Sequence, residues 1–207
     1  MSSMLFEDTY LTIKEPSLGL FKDRGSKFSG YAFPVFNEEE IKVCIANLKK
    51  QHLSATHHCY AFRLGANKLV YRANDDGEPS NTAGKPILGQ IQSKDLTNIL
   101  IVVVRYFGGT LLGVGGLINA YRLAAAAAIQ NAEIIELKVY DVYKINFDYL
   151  QINNVMKIIK DEALKIVSQD FELSCCLSFS VRKSNSNKVY DAMSKINGME
   201  IKYIKTI

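Results

Sequence analysis

The chain has 207 residues and a hydrophobic content of 48%, which excludes an intrinsically disordered protein and is sufficient for one or two buried cores. Its formal net charge of +4 is spread evenly, which excludes the strong basic excess of an avid nucleic-acid binder but permits a local anionic partner. No apolar run approaches the roughly 20 residues that cross a bilayer, and the first residues lack a signal peptide's features. We therefore expect a soluble, cytoplasmic protein with no membrane partner.

The first part of the chain predicts strands, then a helix, then more strands. Alternation around Tyr10 and Thr12, and again over Phe28–Phe36, predicts strands. Asn37 is followed by three glutamates, which is typical of a helix start because an Asn cap and early carboxylates satisfy free amides and the helix dipole. Two further strands are expected, at His57–Leu64 and Lys68–Ala73.

A polar loop then leads into the part of the chain with the clearest pattern. A helix is predicted near Gly84–Gln92, and the continuous apolar run Ile99–Val104 predicts a strand that is buried on both sides. The glycine-rich segment Gly108–Gly116 follows, and then a long helix over Gly116–Ala132. The alanine run Ala124–Ala128 lets this helix approach a sheet closely.

The tail predicts a second unit with the order βαββαβ, which is that of a ferredoxin-like fold. The predicted segments are a strand at Val139–Tyr149, a helix containing Ile152, Val155, Ile159 and Ala163, strands at Lys165–Asp170 and Leu173–Arg182, a helix at Asn185–Asn197 and a strand at Met199–Lys205. We therefore expect two α+β domains, at residues 1–137 and 138–207.

The acidic segment Asp75–Glu78 is the first candidate for chemistry. Three carboxylates within four positions repel one another, so an ordered loop needs a reason to hold them together. A hard cation such as Mg²⁺ is one reason, and hydrogen bonds from these side chains to nearby amides in turns and helix starts are another. The sequence leaves both interpretations open.

The glycine-rich segment is the second candidate. A buried strand ends, five glycines follow within residues 108–116, and a helix begins, so consecutive amides and a helix N-terminus could hold an anion. Arg105 and Lys85 could add positive charge there. The segment matches neither the P-loop nor the dinucleotide-binding pattern. Tight turns and close packing against the alanine-rich helix explain the glycines equally well.

Histidines and cysteines give weaker signals. On a strand, His57 and Cys59 share a face, which permits a nucleophile and its base, two zinc ligands, or a buried hydrogen-bonded histidine. His52 lies at a predicted helix end, where a cation favours the dipole. The cysteines lack metal-ligand spacing and a CxxC motif, so we expect reduced thiols, with Cys175 and Cys176 on opposite faces of a strand.

Four cations near the N-terminus form the last candidate, and they are either a phosphate-binding edge or a solvated face: Lys14, Lys22, Arg24 and Lys27.

Together these segments resemble the YigZ/IMPACT family. The matching strings are GSKF (25–28), ATHHCYAFR (55–63), DDGEPSNTAGKPIL (75–88) and VVVRYFGGTLLGVGGLINAYR (102–122). They occur in the family's order and cover the first domain nearly whole. Where the family commonly has glycine after the DDGEP serine, this chain has Asn81.

The resemblance implies an N-terminal βα fold like a domain of a small-subunit ribosomal protein, followed by a ferredoxin-like domain similar to one in elongation factor G. It also implies nucleic-acid binding for bacterial members, whereas eukaryotic relatives regulate translation through protein contacts. We therefore hypothesise a non-catalytic RNA-binding or ribosome-associated protein that is linked to regulation of translation.

A small-molecule enzyme with a phosphate-binding glycine-rich loop and a regulator that binds another protein are the alternatives. The sequence assigns no cofactor, no metal and no catalytic residue. The predicted ligand-binding residues lie in the acidic and glycine-rich segments and beside them: Asp75, Asp76, Glu78, Thr82, Lys85, Arg105, Tyr106, Gly108, Gly109, Gly113, Gly115, Gly116 and Arg122.

Overall fold

A computed structural model describes residues 8–171 and 175–207. The chain divides into two compact units. Residues 10–137 form the first, and residues 138–207 form the second together with residues 8 and 9. The expected two-domain α+β architecture is confirmed.

The first unit contains seven strands and three helices in the part of the chain that the structure describes. They are β1 (Thr9–Ile13), β2 (Ser17–Asp23), β3 (Ser26–Pro34), α1 (Glu38–Gln51), β4 (His57–Leu64), β5 (Val70–Asn74), α2 (Gly84–Ser93), β6 (Ile99–Tyr106), α3 (Gly113–Gln130) and β7 (Ile134–Lys138).

Five strands of this unit form one sheet in the order β2-β3-β6-β4-β5, in which every neighbouring pair is antiparallel. Strand β6 is central, and its residues Ile99–Val104 are completely buried, as the apolar run predicted. One face of the sheet packs on α2 and α3, while the other face forms a separate core with α1. The expected cap of α1 is confirmed, since the Asn37 side chain accepts a hydrogen bond from the Glu40 amide at 2.9 Å.

Helix α3 approaches the sheet at the two glycines Gly19 and Gly30. A Cβ atom on Gly19 would lie 2.2 Å from the backbone nitrogen of Ala128, and one on Gly30 would lie 2.5 Å from the carbonyl oxygen of Ala124. The helix backbone therefore rests directly on the sheet, which requires small residues on both sides. This is the close approach that the alanine run predicted.

The second unit has four strands and two helices within the described residues: β8 (Tyr140–Phe147), α4 (Ile152–Asp161), β9 (Lys165–Asp170), β10 (Cys175–Arg182), α5 (Ser186–Ser194) and β11 (Glu200–Thr206). Its strand order is β11-β8-β10-β9, with antiparallel neighbours. Residues from the strands and from both helices share one apolar core. This is the arrangement expected of a βαββαβ ferredoxin-like unit.

Some predicted boundaries were wrong, and two strands were missed. Helix α3 begins at Gly113 rather than Gly116, because three of the glycines continue into its first turn. Strand β2 forms a hairpin with β3, and β7 pairs with β1; neither was predicted. The predicted start of β10 at Leu173 lies outside the described residues.

Two further findings concern the whole described chain. None of its helices is both long and apolar enough to span a membrane. All four cysteines are free thiols, and Cys175 is buried while its neighbour Cys176 is half-buried.

Candidate functional site

A cleft of about 380 Å³ opens in the first unit, where the end of β6, the start of β4, the loop after β5 and the start of α3 meet. The loop after β5 carries the acidic segment, and the glycine-rich segment joins β6 to α3, so the cleft lies between the two segments that the sequence singled out. Its lining residues are Thr56, His57, Glu78, Pro79, Arg105, Phe107, Leu111, Leu112, Gly113, Val114 and Leu117.

A buried ion pair forms the floor of this cleft. Oε1 of Glu78 lies 2.5 Å from Nη1 of Arg105 and accepts a hydrogen bond from the Tyr121 hydroxyl at 2.7 Å. All three residues are buried. The carboxylate is therefore compensated both by an opposite charge and by a hydrogen bond, which is what a buried ion pair requires.

Strand alternation separates Arg105 from its neighbour Tyr106. The guanidinium of Arg105 lies over the rings of Phe28 and Phe107, at 5.4 and 5.6 Å from their centroids. Tyr106 lies on the opposite face of the sheet, where its hydroxyl is 2.8 Å from Nδ1 of His52. The structure thus brings Arg105 to the cleft and Tyr106 to the α1 side. His52 follows the end of α1, as expected, and it also forms a hydrogen bond with Tyr106.

His57 lies opposite Arg105 in the β4–β6 register and lines the cleft. Its Nδ1 is 2.8 Å from the carbonyl oxygen of Asp76, which can only accept a hydrogen bond, so Nδ1 carries the hydrogen. In the neutral ring, Nε2 then keeps a lone pair, and this atom lies 3.8 Å from Oε1 of Glu78. His57 is therefore oriented with Nε2 at the floor of the cleft, where the neutral ring accepts a hydrogen bond.

Cys59 shares the His57 face but is completely buried beneath the cleft. Its sulfur lies 3.0 Å from the Asp75 carbonyl oxygen and 3.3 Å from the Tyr121 hydroxyl. Burial raises the pKa of the Cys59 thiol, so the group is protonated at neutral pH. Because the thiolate is the nucleophile and the zinc ligand, this environment disfavours both of those interpretations of the pair.

The acidic segment uses its carboxylates as local caps. Oδ1 of Asp75 accepts hydrogen bonds from the amides of Ala83 and Gly84 at 3.0 and 2.8 Å, at the start of α2. Oδ2 of Asp76 accepts one from the His58 amide at 2.6 Å. Since Glu78 turns inward to Arg105, the three carboxylates have different partners. Among the described residues, no group of three or more His, Cys, Asp and Glu side chains could hold a metal ion.

Asn81 marks the departure from the family's glycine pattern. Its φ angle is +63°, which is a left-handed conformation that glycine adopts freely and asparagine tolerates. Its amide also donates a hydrogen bond to Oδ2 of Asp75 at 2.9 Å. The substitution is therefore compatible with the loop conformation.

The glycine-rich segment is anchored at one end and open at the other. The amide of Gly108 donates a hydrogen bond to the Ser26 hydroxyl at 3.1 Å, and a Cβ on Gly108 would lie 2.0 Å from the carbonyl carbon of Gly25. A Cβ at Gly109, Gly113 or Gly115 would meet no atom of the described residues within 4 Å. Within the described part of the chain, no side chain caps the start of α3. The first turn of α3 therefore keeps amides available for an anion.

The contact between Gly25 and Gly108 brings a basic turn next to this segment. Gly25 lies in the β2–β3 turn, and Lys22, Arg24 and Lys27 are exposed on it. None of the three forms an ion pair with a described residue. Lys14, the fourth cation of this group, is paired with Glu133 at 3.0 Å.

The remaining predicted residues lie around the cleft rather than in it. Thr82 is buried and donates a hydrogen bond to the Pro79 carbonyl, so it holds the loop. Lys85 and Arg122 are exposed on α2 and α3, and Gly116 packs near Leu112.

The apolar rim of the cleft was missed at the sequence level. It consists of Phe107, Leu111, Val114 and Leu117, and the first three of these are exposed. The only signal in the sequence was that apolar residues lie next to the glycines. A helix start with one buried face explains such residues equally well.

Comparisons with known proteins agree with the fold and with these motifs. The model of the Impact N-terminal domain matches residues 24–129. The IMPACT family member YvyE of Bacillus subtilis is 30% identical over 188 residues, which is 91% of this chain and 87% of that protein. An IMPACT family member of Haemophilus influenzae is 36% identical over 172 residues, covering 82% of this chain and 81% of that protein. A solved structure described as that of a hypothetical protein has a TM-score of 0.75 and 26% identity, and covers 96% of this chain and 98% of its own.

Proposed function

Because this chain belongs to the IMPACT family, we propose that it is a non-catalytic protein that binds RNA, free or on the ribosome, and that it is linked to the regulation of translation. The interface in this proposal is the surface around the β2–β3 turn and the start of α3.

The observation that carries this proposal is the contact between Gly25 and Gly108. It joins three exposed cations on the turn to the open, uncapped start of α3. Both features favour phosphate groups, the first through charge and the second through amides and the helix dipole. The low net charge of the whole chain does not conflict with this, because three exposed cations lie close together on this turn.

An aromatic side chain lies next to these cations. Phe107 is 47% exposed, and one face of its ring is covered by the Arg105 guanidinium. Single-stranded RNA is commonly bound by positive charge along its backbone together with aromatic rings on which bases stack. The buried Arg105 contributes no free charge, since Glu78 neutralises it, and the phosphate contacts therefore fall to the exposed residues.

A charge-removal series tests the proposal. Binding of a short fluorescent single-stranded RNA is measured by anisotropy at several salt concentrations, for the native chain and for a triple variant, Lys22→Ala with Arg24→Ala and Lys27→Ala. We expect the triple variant to bind more weakly and its slope of log K against log salt to fall by about 2, at roughly 0.7 for each lost phosphate contact.

The matched control removes the same charge elsewhere, with Lys157→Ala, Lys160→Ala and Lys195→Ala, which are exposed positions of the second unit. If the two triple variants lose the same affinity, the binding depends on net charge alone and the proposed interface is wrong. If the native chain shows no salt-dependent RNA binding, the function itself is wrong.

A further inference from the structure

We propose that the cleft holds one unstacked base of the bound RNA and prefers guanine. This inference rests on the proposed RNA binding. It adds a base-specific contact to a surface that otherwise binds only the phosphate groups of the RNA.

The size and walls of the cleft suit a flat ring. Its volume of about 380 Å³ falls within the roughly 300–1,000 Å³ of pockets that hold small ligands. The walls are largely apolar, with Leu111, Val114 and Leu117 on the α3 side. Sequence-specific RNA recognition commonly takes a base out of its stack, packs its faces on side chains and reads its edge by hydrogen bonds.

Two hydrogen-bond acceptors meet at the floor. All the contacts of the Glu78 carboxylate with Arg105, Tyr121 and His57 involve Oε1, and Oε2 accepts no hydrogen bond from a described residue. In the neutral form of His57 the second acceptor is Nε2, because the bond from Nδ1 to the Asp76 carbonyl leaves the lone pair on Nε2. A ligand that fills this floor must therefore offer two donors side by side, or leave a buried acceptor unsatisfied.

A donor lies at the edge of the same cleft. The Thr56 oxygen accepts a hydrogen bond from the Phe107 amide at 3.4 Å, so the hydroxyl hydrogen remains free to donate. Arg105 also lines the cleft, and its buried Nε–H has no hydrogen-bond partner among the described residues. The cleft thus offers two acceptors and two donors. Among the four RNA bases, guanine alone has two adjacent donors, N1–H and the N2 amino group, next to an acceptor, O6. Adenine, cytosine and uracil each place an acceptor where one of these donors is needed.

The position of the cleft fits a base that is attached to a bound backbone. Gly113, in the first turn of α3, lines the cleft, and the basic β2–β3 turn contacts the same glycine-rich segment through Gly108. Phosphates that flank the base can therefore lie along the uncapped helix start and the turn while the base enters the cleft.

The experiment compares short oligouridines that differ only in their central nucleotide, which is guanosine, inosine, adenosine, cytidine or uridine. We expect the guanosine RNA to bind about tenfold more tightly than the uridine RNA, in the range given by paired hydrogen bonds to a base edge. Inosine, which lacks the N2 amino group, is expected to lose a large part of that preference.

A protein variant provides the second arm. Glu78→Gln replaces an acceptor by a group that can turn a donor toward the base, so the affinity ratio of guanosine RNA to uridine RNA is expected to fall toward one. The control Glu38→Gln changes an exposed carboxylate on α1 and should keep the native ratio. Thermal melting of both variants establishes that they are folded, and the inosine comparison needs no variant at all.

The outcomes separate this inference from the proposed function. Equal affinity for all five RNAs overturns the base cleft and leaves RNA binding in place. Inosine equal to guanosine overturns the two-acceptor interpretation of Glu78 and His57. Absence of binding to every RNA overturns the proposed function, and the base cleft with it.

Discussion

Glu78 and Arg105 form an ion pair with almost no access to solvent, since 3% of the Glu78 side chain and 6% of the Arg105 side chain are exposed. The pair ties the loop after β5 to the end of the central strand β6. It also determines what the cleft offers to a ligand, because Arg105 no longer provides a free positive charge, while one oxygen of Glu78 has no partner among the described residues.

Removing one member of this pair should be strongly destabilising. In the Glu78→Ala variant the guanidinium of Arg105 stays buried without its partner, and breaking a buried pair in this way typically costs about 3–5 kcal/mol. We expect a loss of this size in the free energy of unfolding from urea denaturation. The double variant Glu78→Leu with Arg105→Met should recover much of that loss, because it leaves no buried charge.

The control for this prediction is the exposed pair between Glu39 and Lys42, whose charged atoms are 2.7 Å apart. Glu39→Ala should cost at most about 1 kcal/mol, since exposed ion pairs contribute little. If Glu78→Ala were no more destabilising than Glu39→Ala, the buried pair would have no special role in stability.

Much of the fold could be predicted from the sequence because its strongest signals are local. The continuous apolar run predicted the central strand, Asn37 predicted the start of α1, and the bounds predicted for β4 and β9 are those observed. Strand β2 was missed because it is an edge strand of the sheet, with only Gly19 buried. Its partner in packing is the alanine run of α3, which is distant in sequence.

The candidate site was harder to predict, because it depends on which way each side chain points. The segment 75–78 supplies three carboxylates, yet only Glu78 turns into the cleft, and the other two bond to backbone amides. Likewise, Arg105 and Tyr106 are neighbours whose side chains lie on opposite faces of the sheet. The sequence therefore identified the segments of the site. Contacts between residues that are distant in sequence determine which of their side chains face the cleft.

Asp75 should be a structural residue of the α2 start. Its side chain accepts hydrogen bonds from three amides, those of Asn81, Ala83 and Gly84. Asp75→Ala is therefore expected to lower the free energy of unfolding by about 0.5–2 kcal/mol, which is typical of a lost cap.

The control for Asp75 is Asp191→Ala, which removes an exposed carboxylate on α5 and should change stability by less than about 0.5 kcal/mol. A metal ion provides the opposing test. If Mg²⁺ raised the melting temperature of the native chain but not that of Asp75→Ala, the carboxylate would be a cation ligand and the capping interpretation would be wrong.

The contact of α3 with the sheet predicts a clear difference between glycines. Gly19→Ala and Gly30→Ala would each place a Cβ within 2.5 Å of backbone atoms of α3, so each should destabilise the fold by about 1–3 kcal/mol or more, as overpacking does. Gly89 lies inside α2, and a Cβ there would be more than 4 Å from every described atom outside its own helix backbone and its chain neighbours. Gly89→Ala should therefore stabilise the chain by about 0.5–1 kcal/mol. Similar unfolding energies for all three variants would contradict the close approach of α3.

His58 should make the stability of the chain depend on pH. It is 8% exposed, and its buried Nε2 has no hydrogen-bond partner among the described residues. Burial lowers the pKa of His58; Lys49, His52 and His57 lower it further, while Asp76 opposes the shift. Below about pH 6.5 the unfolded chain binds a proton at His58 that the folded chain resists, so stability falls as the pH falls.

This dependence is measured by urea denaturation between pH 7.5 and pH 5, for the native chain and for His58→Gln. The slope from one such group cannot exceed about 1.4 kcal/mol per pH unit. The other titrating groups are the same in both proteins, so the difference between the two curves isolates His58. We expect the native chain to lose more stability toward acid than the variant, with the gap opening below neutral pH. Parallel curves would mean that His58 takes up a proton as easily in the folded chain as in the unfolded one, against its burial beneath α1.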